Sequence, residues 1–204
     1  MLLFIVTGCS KTPELKYEGK DIVYFCTNED IKLFESKVNV LLNKNQGFLS
    51  IEDGKWHEKI NHEEDIKLEY KEEDNIDACY FVNYDNMNHK FGTQAPIIIK
   101  DKEQGTIRFG MRGNYDYTIY NTEKFVNDIL STDNYEETLE QILFLVNSEI
   151  NLAYSNDVRN KPFTEIQNEK EFSKELLEKI NSSIQDRFGI KLTKVNIESV
   201  EKVS

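Results

Sequence analysis

The stretch that most constrains the fold is residues 106–120, TIRFGMRGNYDYTIY. Its odd-numbered positions are apolar or aromatic apart from one glycine, and its even-numbered positions are mostly polar or charged. Apolar residues at every second position predict a β-strand with one face in a core and the other in water. At about 3.3 Å per residue the strand would be roughly 50 Å long, so we expect it to bend, most easily at Gly110 or Gly113. Such a strand needs partner strands and an apolar cover.

Strand patterns also dominate the chain before this stretch. Runs rich in β-branched and aromatic residues predict strands at 21–26, 38–42, 76–83 and 96–100 and a hairpin at 47–59. The hairpin carries Asp53-Gly54 between its arms, which is typical of a type I′ turn. The charge-rich segment 57–74 predicts a solvated loop that leads into a strand.

The apolar period changes to that of a helix after residue 121. Thr122 is expected to N-cap a short helix, and Asp133 with Glu136 has the spacing of a capping box, as has Thr164 with Gln167. Apolar stripes predict two longer helices, over 135–155 and 165–188, through Leu139, Ile142, Leu143, Val146 and Ile150 in the first and Phe172, Leu176, Leu177, Ile180 and Ile184 in the second. Gly189 is expected to end the second helix, and residues 190–200 return to a strand pattern.

This order of elements predicts an α+β fold. A mostly antiparallel β-sheet is expected over residues ~20–120, with the C-terminal helices covering it and a final strand after them.

Charge and cysteine content narrow the function classes. The net charge of −12 argues against a nucleic-acid partner and against purely electrostatic binding to anionic lipid. The three cysteines, at 9, 26 and 79, are too widely spaced to indicate a metal-ligand pair or a disulfide framework.

The N-terminus carries a second signal. Residues 6–10, VTGCS, resemble a bacterial lipobox, in which Cys9 would be lipidated and the preceding residues removed. A short buried strand or an apolar anchor is the alternative interpretation, because the apolar run is short and no basic residues precede it. No run of about 20 apolar residues is present, so the sequence predicts no membrane-spanning helix. We therefore divide the chain into an N-terminal signal-like, lipobox-like or anchor segment, 1–14, and a single domain, 15–204.

No catalytic constellation is visible in the sequence. A P-loop, a Gly-rich dinucleotide loop, a nucleophile elbow and a paired zinc spacing are all missing, so we predict no catalytic, cofactor or metal site. His57 and His62 lie beside Glu63 and Glu64, but their spacing of five is not the i, i+4 spacing of a helical zinc pair. A hydrolase that uses His57, His62 or His89 with nearby acids stays open as the least favoured function.

Two further features of the strands have alternative interpretations. Arg108 and Arg112 lie on the outward face of the long strand, where they could grip an anion, although pairing with acidic residues of adjacent strands is the preferred interpretation. Cys79 is best explained as a small buried thiol, and a nucleophilic role with His89 as base stays open.

Spaced residues in the middle of the chain resemble a known family. Residues 91–97 read FGTQAPI, and the pattern continues with Asp101, Gly105, Arg108, Gly113, Tyr115, Tyr117, Ile119 and Phe125. This pattern resembles the SPFH or Band 7 domain of stomatin, prohibitin and flotillin, in its bacterial virion-core-protein-like branch. Phe91 stands in place of the branch's tryptophan, and Asn121-Thr122 in place of its Asp-Pro. The resemblance covers roughly residues 15–200.

The resemblance implies a non-catalytic, self-associating domain that sits on a membrane and organises proteins or lipids there. Its partners would be further copies of the chain and membrane lipid or membrane proteins, with no cofactor and no nucleic acid. The motif residues would have structural roles: Gly92, Thr93, Pro96, Asp101, Gly105, Arg108, Gly113 and Tyr115. The domain would lie on the cytoplasmic face of the membrane, or on the outer face if the Cys9 lipobox is used. The alternative function is an extracytoplasmic lipoprotein that binds an unknown ligand or partner.

Overall fold

The computed structural model describes residues 12–62, 64–72, 74–130 and 135–203. Cys9 and Asp133, for which the sequence predicts lipidation and a capping box, lie outside these residues. The chain forms two compact units that divide between Asp85 and Asn86. Almost all strand pairs are antiparallel, and four helices precede a final C-terminal strand, so the predicted α+β class is confirmed.

The N-terminal unit contains seven described strands and one short helix. These are β1 (Glu14–Lys16), β2 (Val23–Phe25), α1 (Asn28–Ile31), β3 (Val38–Leu42), β4 (Gln46–Glu52), β5 (Lys55–Asn61), β6 (Ile66–Tyr70) and β7 (Ile76–Asn83), with a 3₁₀ turn at Lys32–Glu35. They form one sheet in the order β1-β3-β6 and a second in the order β2-β7-β4-β5. Buried side chains from both sheets, among them Val40, Phe48 and Phe81, form one apolar core.

The hairpin of β4 and β5 is confirmed, but the loop predicted at 57–74 is wrong. Asp53 and Gly54 both have positive φ, 50° and 72°, as a type I′ turn requires. The chain then continues as β5 to Asn61 and as β6 from Ile66 to Tyr70. β5 lies at the edge of its sheet and exposes most of its side chains. Backbone pairing to β4 is therefore enough to hold it extended, although its mostly polar side chains do not show the apolar alternation of a half-buried strand.

The C-terminal unit is built around one long strand. Its elements are β8 (Met87–Gly92), β9 (Ile97–Asp101), β10 (Gly105–Ile119), α2 (Thr122–Leu130), α3 (Tyr135–Asp157), α4 (Phe163–Asn168), α5 (Lys174–Phe188) and β11 (Ile190–Lys202), with a 3₁₀ turn at Val158–Asn160. β10 pairs with β11 along one edge and with both β9 and β8 along the other, always antiparallel.

The predicted alternation of β10 is confirmed at every position from 107 to 119. The odd residues are buried and the even residues are partly or fully exposed. The register with β11 is irregular beside Gly113, where Glu198 is an extra residue, and again where Thr193 is extra. The bulged strand is thus β11, whereas we expected β10 itself to bend at Gly110 or Gly113.

Helices cover the buried face of β10. Tyr115 donates a hydrogen bond to the carbonyl of Leu143 in α3 over 3.4 Å, and the Phe109 ring lies 5.6 Å from that of Phe163 in α4. On α5, the buried Asn181 donates to the Leu192 carbonyl over 2.9 Å and accepts from the Leu192 amide over 2.8 Å. This amide pair fixes α5 onto β11.

Three helix boundaries differ from the prediction. Asn121 caps α2, since its Oδ1 accepts from the Lys124 amide over 2.9 Å, whereas we assigned the cap to Thr122. The helix predicted over 165–188 is two helices: α4 has Pro162 rather than Thr164 at its N-cap, and α5 has Ser173.

The segment between α4 and α5 explains the break. The Phe172 amide donates to Val195 over 3.0 Å, and the Ile197 amide donates to Lys170 over 2.8 Å. Phe172 therefore belongs to an extended segment that pairs with the outer edge of β11, not to a helical stripe. Gly189 ends α5 with φ 67°, as predicted.

Candidate functional site

The Gly-Thr of the central motif lies where β10 changes partner. β9 pairs with residues up to Phe109, and β8 pairs with residues from Arg112. Between them, the Thr93 amide donates to the Met111 carbonyl over 2.9 Å, and Thr93 Oγ1 accepts from the Met111 amide over 3.1 Å. Thr93 thus hydrogen-bonds both backbone groups of Met111, which lies between the residues paired with β9 and those paired with β8. The preceding Gly92 carbonyl accepts from the Asn151 side chain over 3.1 Å, which links β8 to α3.

Asp101 holds the turn between β9 and β10 and the start of α4. Its Oδ1 accepts from the amides of Glu103 and Gln104, and its Oδ2 accepts from the amide of Phe163, each over 2.8 Å. The Phe163, Gln104 and Glu103 amides lower the pKa of this carboxyl group below its ordinary value. Gly105 ends the turn with φ 76°, a conformation that favours glycine. Pro96 directly precedes β9.

Gly113 and Tyr115 lie at the most crowded part of the sheet. A Cβ on Gly113 would collide with the backbone carbonyl of Asn196 and lie 3.0 Å from the Phe91 ring. Tyr115 is fully buried, and the rings of His89 and Phe91 lie 5.5 and 6.3 Å from its own. Burial raises the pKa of Tyr115 well above its ordinary value, so this tyrosine stays protonated. The structural roles implied for the motif residues stay predictions, although each contact described here is a packing or backbone contact.

The two arginines of β10 differ in their partners. Arg112 donates to Ser199 over 2.8 Å and lies 3.4 Å from Glu201, both on β11, so pairing with an adjacent strand is confirmed for it. Both partners of this ion pair are largely exposed, so it adds little stability. Across the described ranges, Arg108 makes no ion pair.

The three histidines lie on different segments of the chain. His57 lies on β5, 3.9 Å from Glu52, and His62 borders an open depression with Lys44 and Glu64. His89, on β8, is partly buried, and this desolvation lowers its pKa. Among the residues that the structure describes, no three His, Cys, Asp or Glu side chains lie together as metal ligands. Cys79 is 1% exposed, which confirms the buried-thiol interpretation.

One surface feature was not predicted: an exposed apolar face on α3. Of the predicted stripe, Ile142, Leu143, Val146 and Ile150 are buried, as expected, and Leu139 is partly buried. However, Phe144 is 56% exposed, Leu152 is 60% exposed and Leu145 is 37% exposed. Leu145 and Leu152 are seven residues apart and so lie on one side of the helix, with Phe144 next to them around the axis. We call these three residues the exposed α3 face.

The sequence does contain a signal for this face. Residues 142–146, ILFLV, are five consecutive apolar residues in the middle of a 23-residue helix. Five consecutive helical residues point in all directions around the axis, so one buried face cannot accept them all. Large contiguous apolar patches on a folded domain mark surfaces that contact a partner, and the exposed α3 face is a candidate for such a surface. Glu137 and Glu140 border the same side of the helix.

A comparison with protein-family models identifies the family. The model described as SPFH domain-Band 7 family matches residues 73–203, well over half of the chain and all of the C-terminal unit except its last residue. The chain belongs to the SPFH domain-Band 7 family. Domains of this family are generally membrane-associated, non-catalytic scaffolds. No curated protein matches the chain.

The match sets limits on the sequence-based predictions. It begins at residue 73, so residues 15–72 lie outside it and the single domain at 15–204 stays a prediction. None of the helices in the described ranges is both long and apolar enough to cross a bilayer.

Proposed function

We propose that this chain is a non-catalytic, membrane-associated scaffold that self-associates and organises proteins or lipids at a bacterial membrane. Within the SPFH domain-Band 7 family we place it in the virion-core-protein-like branch, on the strength of residues 91–97 and the motif that follows. The exposed α3 face is the observation that carries the self-association.

The exposed α3 face suits contact between copies because it is apolar and belongs to a rigid element. α3 is anchored on the sheet by the hydrogen bond from Tyr115 to the Leu143 carbonyl and by the one from Asn151 to the Gly92 carbonyl. Association therefore needs little ordering of the backbone, which lowers its entropic cost. Burying the exposed parts of Phe144 and Leu152 would contribute about 1 kcal/mol each.

The net charge opposes association and makes it depend on salt. Each copy carries a net charge of −12, and Glu137 and Glu140 border the contact. Copies therefore repel each other at low ionic strength, and added salt screens this repulsion. Self-association should become stronger between about 0.1 M and about 1 M salt, because apolar contacts do not weaken with salt as ion pairs do.

Light scattering coupled to size-exclusion chromatography tests the contact. The purified chain should form assemblies whose mass rises with protein concentration and with salt. The double variant Phe144→Gln, Leu152→Gln should remain monomeric. Ile98→Gln is the matched control, because Ile98 is 61% exposed and lies on β9 rather than α3. A strict monomer under all conditions, or equal loss in the control, would rule this contact out.

A separate experiment tests which face of the membrane carries the domain. We place the domain on the cytoplasmic face, or on the outer face if Cys9 is lipidated. Mass spectrometry of the native protein distinguishes the two at Cys9, since an unmodified Met1 terminus excludes the lipoprotein. Protease treatment of intact cells then reports the side, because a cytoplasmic domain is protected. Accessibility together with acylated Cys9 would favour the second candidate, an extracytoplasmic lipoprotein that binds a ligand or partner.

A further inference from the structure

The fold of the N-terminal unit brings two distant cysteines together. β2 pairs antiparallel with β7 through Val23–Val82, Tyr24–Phe81 and Phe25–Tyr80. The next position places Cys26 opposite Cys79, and the Cys26 amide donates to the Cys79 carbonyl over 3.0 Å. Both residues are free cysteines.

The register of the pair suits a disulfide. Directly opposite residues of an antiparallel pair have Cα atoms about 4.5–5.5 Å apart, which is within the range in which disulfides form. Side chains at directly opposite positions also lie on the same face of the sheet. Both side chains belong to one apolar core, with Cys26 packed against the cluster that contains Cys79. Burial, followed by the neighbouring Cys79 thiol, raises the pKa of Cys26.

Access to the pair comes from the edge of the sheet. β2 is three residues long and has β7 as its only strand neighbour among the described residues. Cys26 is partly exposed, whereas Cys79 lies in the core beneath it. Short edge strands open locally at much lower free energy than the whole domain, so a small reagent can reach Cys26 first.

We propose that Cys26 and Cys79 are a modification site that forms an intramolecular disulfide by exchange with a small-molecule disulfide such as oxidised glutathione. The Cys26 thiolate attacks one sulfur of the reagent, whose S–S bond breaks and releases one glutathione thiolate. The Cys79 thiolate then attacks Cys26 Sγ in this mixed disulfide and releases the second glutathione. Two electrons pass from the protein to the reagent, and the two cysteine protons end on the two released thiols.

The disulfide would tie the edge strand to the core of the N-terminal unit. It would close a loop of roughly 50 residues, a length at which cross-linking strongly restricts the unfolded chain. The melting temperature of the oxidised protein should therefore rise by about 10 °C. This site involves neither the exposed α3 face nor the family motif, so it does not depend on the proposed function.

The test uses the full chain with Cys9→Ser, which removes the third thiol. After incubation with oxidised glutathione under native conditions, a thiol assay should show two thiols lost per chain. Mass spectrometry of a non-reduced digest should give one cross-linked peptide pair that contains Cys26 and Cys79. Dithiothreitol should reverse both the cross-link and the rise in melting temperature.

Controls separate this disulfide from nonspecific oxidation. Cys79→Ser should stop at a glutathione adduct on Cys26. Cys26→Ser should react more slowly than both Cys79→Ser and the two-cysteine chain, because its remaining thiol, Cys79, is 1% exposed. A stable glutathione adduct on Cys26 in the two-cysteine chain, with no cross-linked peptide, would overturn the proposal. So would a cross-link that forms only when denaturant is present.

Discussion

Two single alanine variants, Phe109→Ala and Arg108→Ala, test whether β10 is buried on one face only. Phe109 is 0% exposed and its ring lies 5.6 Å from that of Phe163 in α4. Arg108 is the adjacent residue on the outward face and is exposed. Phe109→Ala removes a large buried ring and leaves a cavity under α4, so it should cost about 3–5 kcal/mol of unfolding free energy. Arg108→Ala should change it by about 0.5 kcal/mol or less.

Urea unfolding followed by far-UV circular dichroism measures this difference, because helices α2–α5 all belong to the unit that contains β10. The transition of Phe109→Ala should move to lower urea with an unchanged m-value, while that of Arg108→Ala should overlay the wild type. Trp56, the only tryptophan, reports on the N-terminal unit and serves as an independent probe. Equal destabilisation by the two variants, or a larger effect of Arg108→Ala, would refute the one-sided burial of β10.

Three further predictions follow from single contacts. Asp101 has a lowered pKa in the folded protein, so its stabilisation is present above the ordinary value of 3.8 and is lost as pH falls through the folded-state pKa. The melting-temperature gap between wild type and Asp101→Asn should therefore be open at neutral pH and close in acid, and a gap that persists in acid would contradict this role. Gly54 has positive φ and open space around it, so Gly54→Ala should lower the free energy of unfolding by about 1 kcal/mol. Gly189→Ala should lower it clearly more in the same urea assay, because the Cβ would also lie 2.6 Å from a backbone carbonyl. Asn181→Leu leaves both backbone groups of Leu192 without their side-chain partner and should cost about 3 kcal/mol, and a loss below about 1 kcal/mol would show that Asn181 does not hold α5 on β11.

The features that the sequence predicted are those with local causes. The alternation at 107–119 follows from which side of one strand faces the core, and the Asp53-Gly54 turn follows from the φ angles of two residues. The buried stripe of α3 and the αL ending at Gly189 are local in the same sense. Each of these features depends only on residues that are close in the sequence, and the structure confirms each of them.

The features that the sequence missed depend on distant partners. The break between α4 and α5 arises because Lys170 and Phe172 pair with the edge of β11, which overrides the helical spacing around them. β5 is extended because β4 is beside it, although its own residues are polar. The Cys26–Cys79 contact depends on the register of β2 with β7, which cysteine spacing cannot reveal.

The exposed α3 face is a different case. Its signal is the continuous apolar run 142–146, of which a single helical stripe accounts for only some residues. The same run can be explained by a helix that is buried on all sides. Only the burial of each side chain separates the two possibilities, and this decides that Phe144 and Leu152 belong to the surface.

Binding of the full chain to vesicles over a series of protein concentrations tests scaffold formation at a membrane most directly. Flotation with phosphatidylcholine vesicles, with and without phosphatidylglycerol, gives the bound fraction at each concentration. We expect binding that rises cooperatively, because associated copies engage the surface together, and that does not increase with anionic lipid, given the net charge of −12. Phe144→Gln, Leu152→Gln should lose the cooperativity. A chain that stays with the unbound fraction at every concentration, in both kinds of vesicle, would contradict a membrane scaffold.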